Sequence, residues 1–137
     1  MPTDDQQSCP RSAVGGIATD RRTRLACVAA AALLVVNLFY LGTKPFAVGL
    51  FPAPWDKLAH FTVFSALTVL LWLGTAGRAV LGIVLLVSVF GGLDEVHQAY
   101  LPGRQADVAD WLADFAGVLL AAFVLGLYAR RGHAAPS

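Results

Sequence analysis

Four apolar runs divide the chain, and the breaks between them carry most of its polarity. Leu25 to Leu41 is apolar except for Asn37 and ends at Gly42, which predicts a helix about 26 Å long, enough for a thin or locally compressed bilayer. Thr43 to Trp55 holds Pro45, Pro52 and Pro54 and cannot continue that helix. Its Phe46, Leu50, Phe51 and Trp55 suit a segment lying at headgroup depth. Asp56 to Gly74 predicts a second helix capped by Asp56. After a turn at Gly74 to Gly77, a third helix is expected from Arg78 to about Tyr100, bent near Gly91-Gly92. Leu101-Pro102-Gly103 reads as a tight turn, and Val108 to Tyr128 as the fourth span, closed by Arg130 and Arg131.

The pattern therefore predicts an all-α fold, a polytopic membrane protein built as a four-helix transmembrane bundle. Residues 1–24 are expected to be a flexible cytoplasmic tail, 25–130 the membrane domain, and 131–137 a short polar cytoplasmic tail. A cleaved signal peptide is not expected, because the basic lead-in is long and no small-residue cleavage site closes the first apolar run.

Composition supports the membrane reading: 57% of the 137 residues are hydrophobic and only 14% charged, against about a quarter charged in soluble domains. A net charge of +1 leaves no basic face for nucleic acid. Arg11, Arg21, Arg22, Arg24, Arg78, Arg130 and Arg131 fall on one side of the predicted bundle, and only Lys44, Lys57 and Arg104 on the other. The positive-inside rule then puts both termini in the cytoplasm. Asp56, Asp94, Glu95, Asp107, Asp110 and Asp114, with His60 and His97, are placed outside. The two cysteines, Cys9 and Cys27, form no C-x-x-C and support no disulfide framework.

The segment Gly91 to Gly117 concentrates the candidate chemistry. Asp107, Asp110, Asp114, Gly117 and Ala121 recur at helical spacing and make one stripe, acidic at its outer end and small further in. Asp114 lies roughly 10 Å deeper than Asp107 by helical rise, so it must meet protein or water rather than lipid. The third helix offers Asp94 and Gln98 at i, i+4, and the second offers Asp56 and His60 at the same spacing, with Lys57 beside them. Intramembrane ionisable groups are functional candidates because an unused one costs several kcal/mol. The expected pocket lining is Lys57, His60, Asp94, Glu95, Gln98, Arg104, Asp110 and Asp114, with Arg104 pairing Asp94 or Asp110. His60, Asp94, Glu95 and Asp110 are the candidates for acid–base catalysis if there is any. Asp56 and Asp107 read more simply as helix caps, Glu95 and His97 also fit solvated helix ends, and the whole cluster also fits a structural polar network. No nucleophile motif, P-loop or H-E-x-x-H zinc pattern occurs, and no metal site is assigned, although Glu95 and His97 beside His60 could be imagined as ligands. No cofactor can be named. The aromatics Phe61, Phe64 and Trp72 read as packing or lipid contacts.

Taken together, Asp56-Lys57-x-x-His60-Phe61, Asp94-Glu95-x-x-Gln98, Pro102-Gly103-Arg104, Asp110 and Gly117 resemble the VanZ-like family over about Asp56 to Gly117. The resemblance implies a small bacterial membrane protein of a group named after one linked to resistance to the glycopeptide teicoplanin. The chain departs from the family in having Asp114 where Asn is usual and Asp107 where a small polar residue is common, so its site is more acidic. Three functions stay open: binding a lipid-linked cell-wall precursor or altering glycopeptide access; an intramembrane hydrolase or transferase acting on a phosphate-containing lipid; and a proton- or cation-coupled transporter subunit. The last is disfavoured by the lack of ionisable residues in the inner halves of the spans. The lipid bilayer is the one partner expected throughout, and oligomerisation is left open.

Overall fold

The computed structural model describes residues 13–14, 17–18, 20–104 and 106–133. The expected polar tails lie mostly outside the described residues. Four helices make up most of what is described: α1 (Arg21–Gly42), α2 (Trp55–Gly74), α3 (Val80–Ala99) and α4 (Val108–His133). Each is long and apolar enough to cross a membrane. A two-residue antiparallel pairing, Ala13–Val14 with Ile17–Ala18, precedes them.

The helix ends differ from the sequence expectation where local polar chemistry overrides the apolar pattern. α1 starts four residues early because the Asp20 carboxylate accepts from the Thr23 N–H at 2.9 Å, and this cap carries the basic turn Arg21 to Arg24 into the helix. At α2 the expected Asp56 cap is wrong. Pro54 holds the cap position, and the Asp56 carboxylate accepts instead from the neighbouring Lys57 N–H. α3 opens at Val80 rather than Arg78, since Ala79 sits in the left-handed region (φ 59°) and interrupts the helix before it. It then runs unbroken through Gly91-Gly92. α4 continues through Arg130 and Arg131 to His133. At its other end Asp107 is the cap: its carboxylate accepts from Ala109 N–H at 2.8 Å and its carbonyl from Asp110 N–H at 2.9 Å.

Polar groups inside the spans mostly satisfy themselves, as an apolar surround requires. Asn37 donates to the Leu33 carbonyl, and Thr62 and Thr68 donate to Leu58 and Phe64, all four residues back.

α2 is the centre of the bundle and packs on all three other helices, most extensively on α4. The seam with α4 passes at Gly117. A Cβ there would collide with the Phe61 carbonyl oxygen and lie 2.8 Å from Ser65 Oγ, so only glycine lets the two backbones come this close. Phe64, Leu67, Trp72, Ile83, Val87 and Val118 fill the core beside it. Phe64 and Trp72 are thus packing residues. α1 is held to the far end of α2, where Arg24 Nε donates to the Gly74 carbonyl. Leu33, Val36, Leu81, Leu85 and Phe123 point outward, an apolar perimeter that suits lipid rather than water.

The two tight turns make α2, α3 and α4 antiparallel neighbours. Leu101-Pro102-Gly103 is a turn of the expected kind, with Gly103 at φ 79° and the Arg104 N–H donating to Leu101. The start of α2, the end of α3 and the start of α4 therefore meet at one end of the bundle. The 43–54 connection, which includes a short 3-10 turn at Pro45–Ala47, closes over that end.

Candidate functional site

Because three helix ends converge, polar residues far apart in sequence are gathered together. Lys57 projects from the first turn of α2 toward the opening of α4. Its Nζ lies 2.8 Å from Asp110 Oδ1, 3.0 Å from Asp107 Oδ2 and 3.4 Å from Asp56 Oδ2. One ammonium serves three carboxylates. Asp107, just outside the span and half exposed, titrates below the ordinary carboxylate range, first because it accepts from the Ala109 N–H and then because of Lys57.

One turn further along α2, His60 meets α4. Its Nδ1 is 2.9 Å from Asp114 Oδ1, and Asp114 is 1% exposed. With Asp114 ionised, the carboxylate accepts from Nδ1–H, and in the neutral imidazole Nε2 is then the nitrogen with a lone pair to offer. Asp114 reaches this depth because α3 presents Gly91. A Cβ at Gly91 would stand 3.0 Å from Asp114 Oδ2, so any side chain there would crowd the carboxylate. Gly91 thus makes room for a neighbouring side chain.

From α3, Asp94 is 2% exposed and its Oδ2 accepts from Gln98 Nε2 at 2.8 Å, the i, i+4 pair read from the spacing. Glu95, 7% exposed, accepts the Asp107 N–H on Oε2 at 2.8 Å, which ties the end of α3 to the start of α4. It is therefore buried rather than a solvated helix end. Among the described residues Glu95 Oε1 and Asp114 Oδ2 are buried without a hydrogen-bond partner.

Arg104 departs from expectation. Among the described residues it makes no ion pair with Asp94 or Asp110. Its Nη1 donates to Gln98 Oε1 at 3.1 Å and its Nη2 to the Ala47 carbonyl at 3.0 Å. The expected pairing fails because the turn directs the guanidinium toward the 43–54 connection, while Lys57 already occupies Asp110. Arg104 reaches Asp94 only through Gln98. It is a clamp between the connection and α3. His97 also stands apart: its ring packs on Phe39 of α1, with centroids 5.2 Å apart, and it does not join His60 and Glu95.

Between these groups and α1 lies a cavity of about 510 Å³. Its polar side is formed by Asp56, His60, Asp94, Gln98, Arg104 and Asp110. Its apolar side comes from Leu34, Leu38 and Leu41 of α1 and from Val48, Leu50 and Phe51 of the connection. Among the expected lining residues, Lys57, Glu95 and Asp114 stand behind this surface and hold the groups that form it. The sequence reading did not anticipate the apolar wall. Asn37, the one polar interruption of α1, also lines the cavity and was the available hint.

Neither a curated protein nor a solved structure matches the chain significantly. The VanZ/LLP1 family model matches residues 18–129, a span that holds all four membrane-length helices almost in full and every residue of the polar cluster. Four apolar helices, with a conjoined Lys57–Asp110, His60–Asp114 and Asp94–Gln98–Arg104 network at one end, are thus the form that the matched sequence takes here, and the chain belongs to the VanZ/LLP1 family.

Proposed function

We propose that this protein binds the polar head of a lipid-linked envelope component in a cavity opening toward the outer side of the bacterial cytoplasmic membrane, with both termini in the cytoplasm. The observation that carries the reading is the two-sided lining: a hydrogen-bonding floor from α2, α3 and the start of α4 opposite an aliphatic wall from α1. Ligand sites are mostly apolar with a few polar groups that fix orientation. An amphiphile is the ligand that satisfies both sides at once, its chain against Leu34, Leu38 and Leu41 and its head over His60, Gln98 and Arg104. The outward orientation rests on the seven-to-three division of Lys and Arg. Holding a lipid-linked cell-wall precursor would alter what a glycopeptide can reach, which connects the site to the susceptibility effect that the VanZ resemblance implies.

The test is mass spectrometry of lipids co-purified with the full chain in native-lipid particles. A prenyl- or glycan-bearing lipid enriched over the bulk membrane is expected, and Gln98→Leu should reduce it. Identical lipid profiles for the wild type and Gln98→Leu would defeat the proposal.

A second reading, a hydrolase or transferase on a phosphate-containing lipid, is favoured by one feature. His60 lines the cavity and is oriented by Asp114, an arrangement suited to a general base. It predicts turnover of the co-purified lipid that His60→Gln abolishes while binding persists. A coupled transporter has less support, since no ionisable residue continues from the site along the rest of α2, α3 or α4 until Arg78 and Arg130.

A further inference from the structure

We infer that His60, Glu95 and Asp110 form a binding site for a first-row divalent cation such as Zn²⁺ or Mn²⁺. One ligating atom from each of the three lies within 4.8 Å of the others, and the three come from α2, α3 and α4. Metal–ligand bonds of about 2.1 Å place tetrahedral ligands roughly 3.4 Å apart, so side-chain adjustments on the order of 1 Å close the site.

On each of the three residues the hydrogen-bond network leaves one donor atom over. Asp114 holds His60 by Nδ1 and Nε2 makes no hydrogen bond among the described residues; a carboxylate behind a ligating histidine is a recurrent support of metal sites. Glu95 Oε2 is taken by the Asp107 N–H, whereas Oε1 is buried and has no partner among the described residues. Asp110 gives Oδ1 to Lys57, and its second oxygen carries no hydrogen bond among the described residues.

Charge points the same way. Asp94, Glu95, Asp110 and Asp114 are all buried. Of the two permanent cations nearby, Lys57 reaches only Asp110 of these four, and Arg104 makes no ion pair among the described residues. Buried carboxylates without a counter-charge are costly, and a divalent ion supplies what Glu95 and Asp114 lack, directly to the first and through His60 to the second. One nitrogen and two carboxylate oxygens suit Zn²⁺ or Mn²⁺ and leave a coordination position toward the cavity, where His60 and Asp110 both form part of the lining. The inference does not depend on the lipid proposed above, because the ion is measured without it.

The full chain, purified in detergent and stripped with a chelator, is dialysed against Zn²⁺ alone or Mn²⁺ alone and its metal content measured. One ion per chain is expected. Glu95→Gln should abolish binding in protein that keeps its helical circular dichroism, His97→Gln should retain it, and Asp114→Asn should weaken it about 10–100-fold. Should Glu95→Gln fail to fold, Cu²⁺-loaded protein carrying His97→Gln and His133→Gln decides the matter. Histidine nitrogen coupling in its electron paramagnetic resonance spectrum supports the site, and its absence overturns it. Folded wild type that takes up neither ion, or Glu95→Gln that binds like wild type, also overturns it. Either result leaves the lipid-binding proposal standing.

Discussion

Replacing Gly117 by alanine adds one methyl group at the tightest point between α2 and α4. The new Cβ would overlap the Phe61 carbonyl oxygen and stand 2.8 Å from Ser65 Oγ. The first obstacle is backbone and cannot rotate away, so the two helices must separate by a good fraction of an ångström along the most extensive interface of the bundle. A gap of 0.5–1 Å forfeits about a quarter to a half of each contact's dispersion energy. Overpacking of this kind costs about 1–3 kcal/mol, and an immovable backbone obstacle argues for the upper end. Alanine's helix propensity offsets about 1 kcal/mol, leaving a net loss on the order of 1–2 kcal/mol. Gly117→Leu, with a branched side chain to place, should lose more. Gly126 on the same helix is the matched control: its Cβ would meet nothing within 4 Å, so Gly126→Ala should be neutral or stabilising by up to about 1 kcal/mol. Both variants are compared with wild type by unfolding in mixed detergent micelles, followed by helical circular dichroism. If Gly117→Ala unfolds no earlier than Gly126→Ala, the small-residue seam between α2 and α4 is not what holds these helices together.

Arg104→Ala should release the 43–54 connection from α3, losing charge-assisted hydrogen bonds to Ala47 and Gln98 worth about 1.5–3 kcal/mol in total. Hydrogen exchange of residues 44–51 should then accelerate, and unchanged protection there would refute the clamp. Asp107 is held below its ordinary value by Ala109 N–H and Lys57, so its contribution to stability is complete above about pH 4 and fades as pH falls through the lower folded-state value. Wild type should be the more stable near pH 6 and converge on Asp107→Asn in acid; a constant difference down to pH 2 would contradict this. For topology, a cysteine at Gly103 in a cysteine-free background should react with an impermeant maleimide from outside intact cells, and one at Ser137 should not. The reverse pattern would invert the site.

The sequence alone carried the four spans, because a bilayer-length apolar run can satisfy its backbone only as a helix. It also carried the tight turn at Pro102-Gly103 and the acidic-to-small stripe on α4, since both depend on neighbours a few residues away. Even the Asp94–Gln98 bond was readable, being set by one helical turn. Helix ends were less legible. The Asp107 cap was legible, but Asp20, Pro54 and Ala79 set the other ends through individual side-chain and backbone geometry that an apolar pattern does not encode. Only the tertiary structure decided who pairs with whom. Lys57 sits 53 residues from Asp110 and His60 sits 54 from Asp114, and the alignment of α2 with α4 that joins them depends on the glycine seam at Gly117. The same packing sent Arg104 to Ala47 instead of to an acid, and brought α1 around to wall the cavity. Formal charge attracts any of these partners equally well in a sequence. Distance in the folded bundle selects among them, because in a low-dielectric surround only groups held within hydrogen-bonding reach recover the cost of being buried.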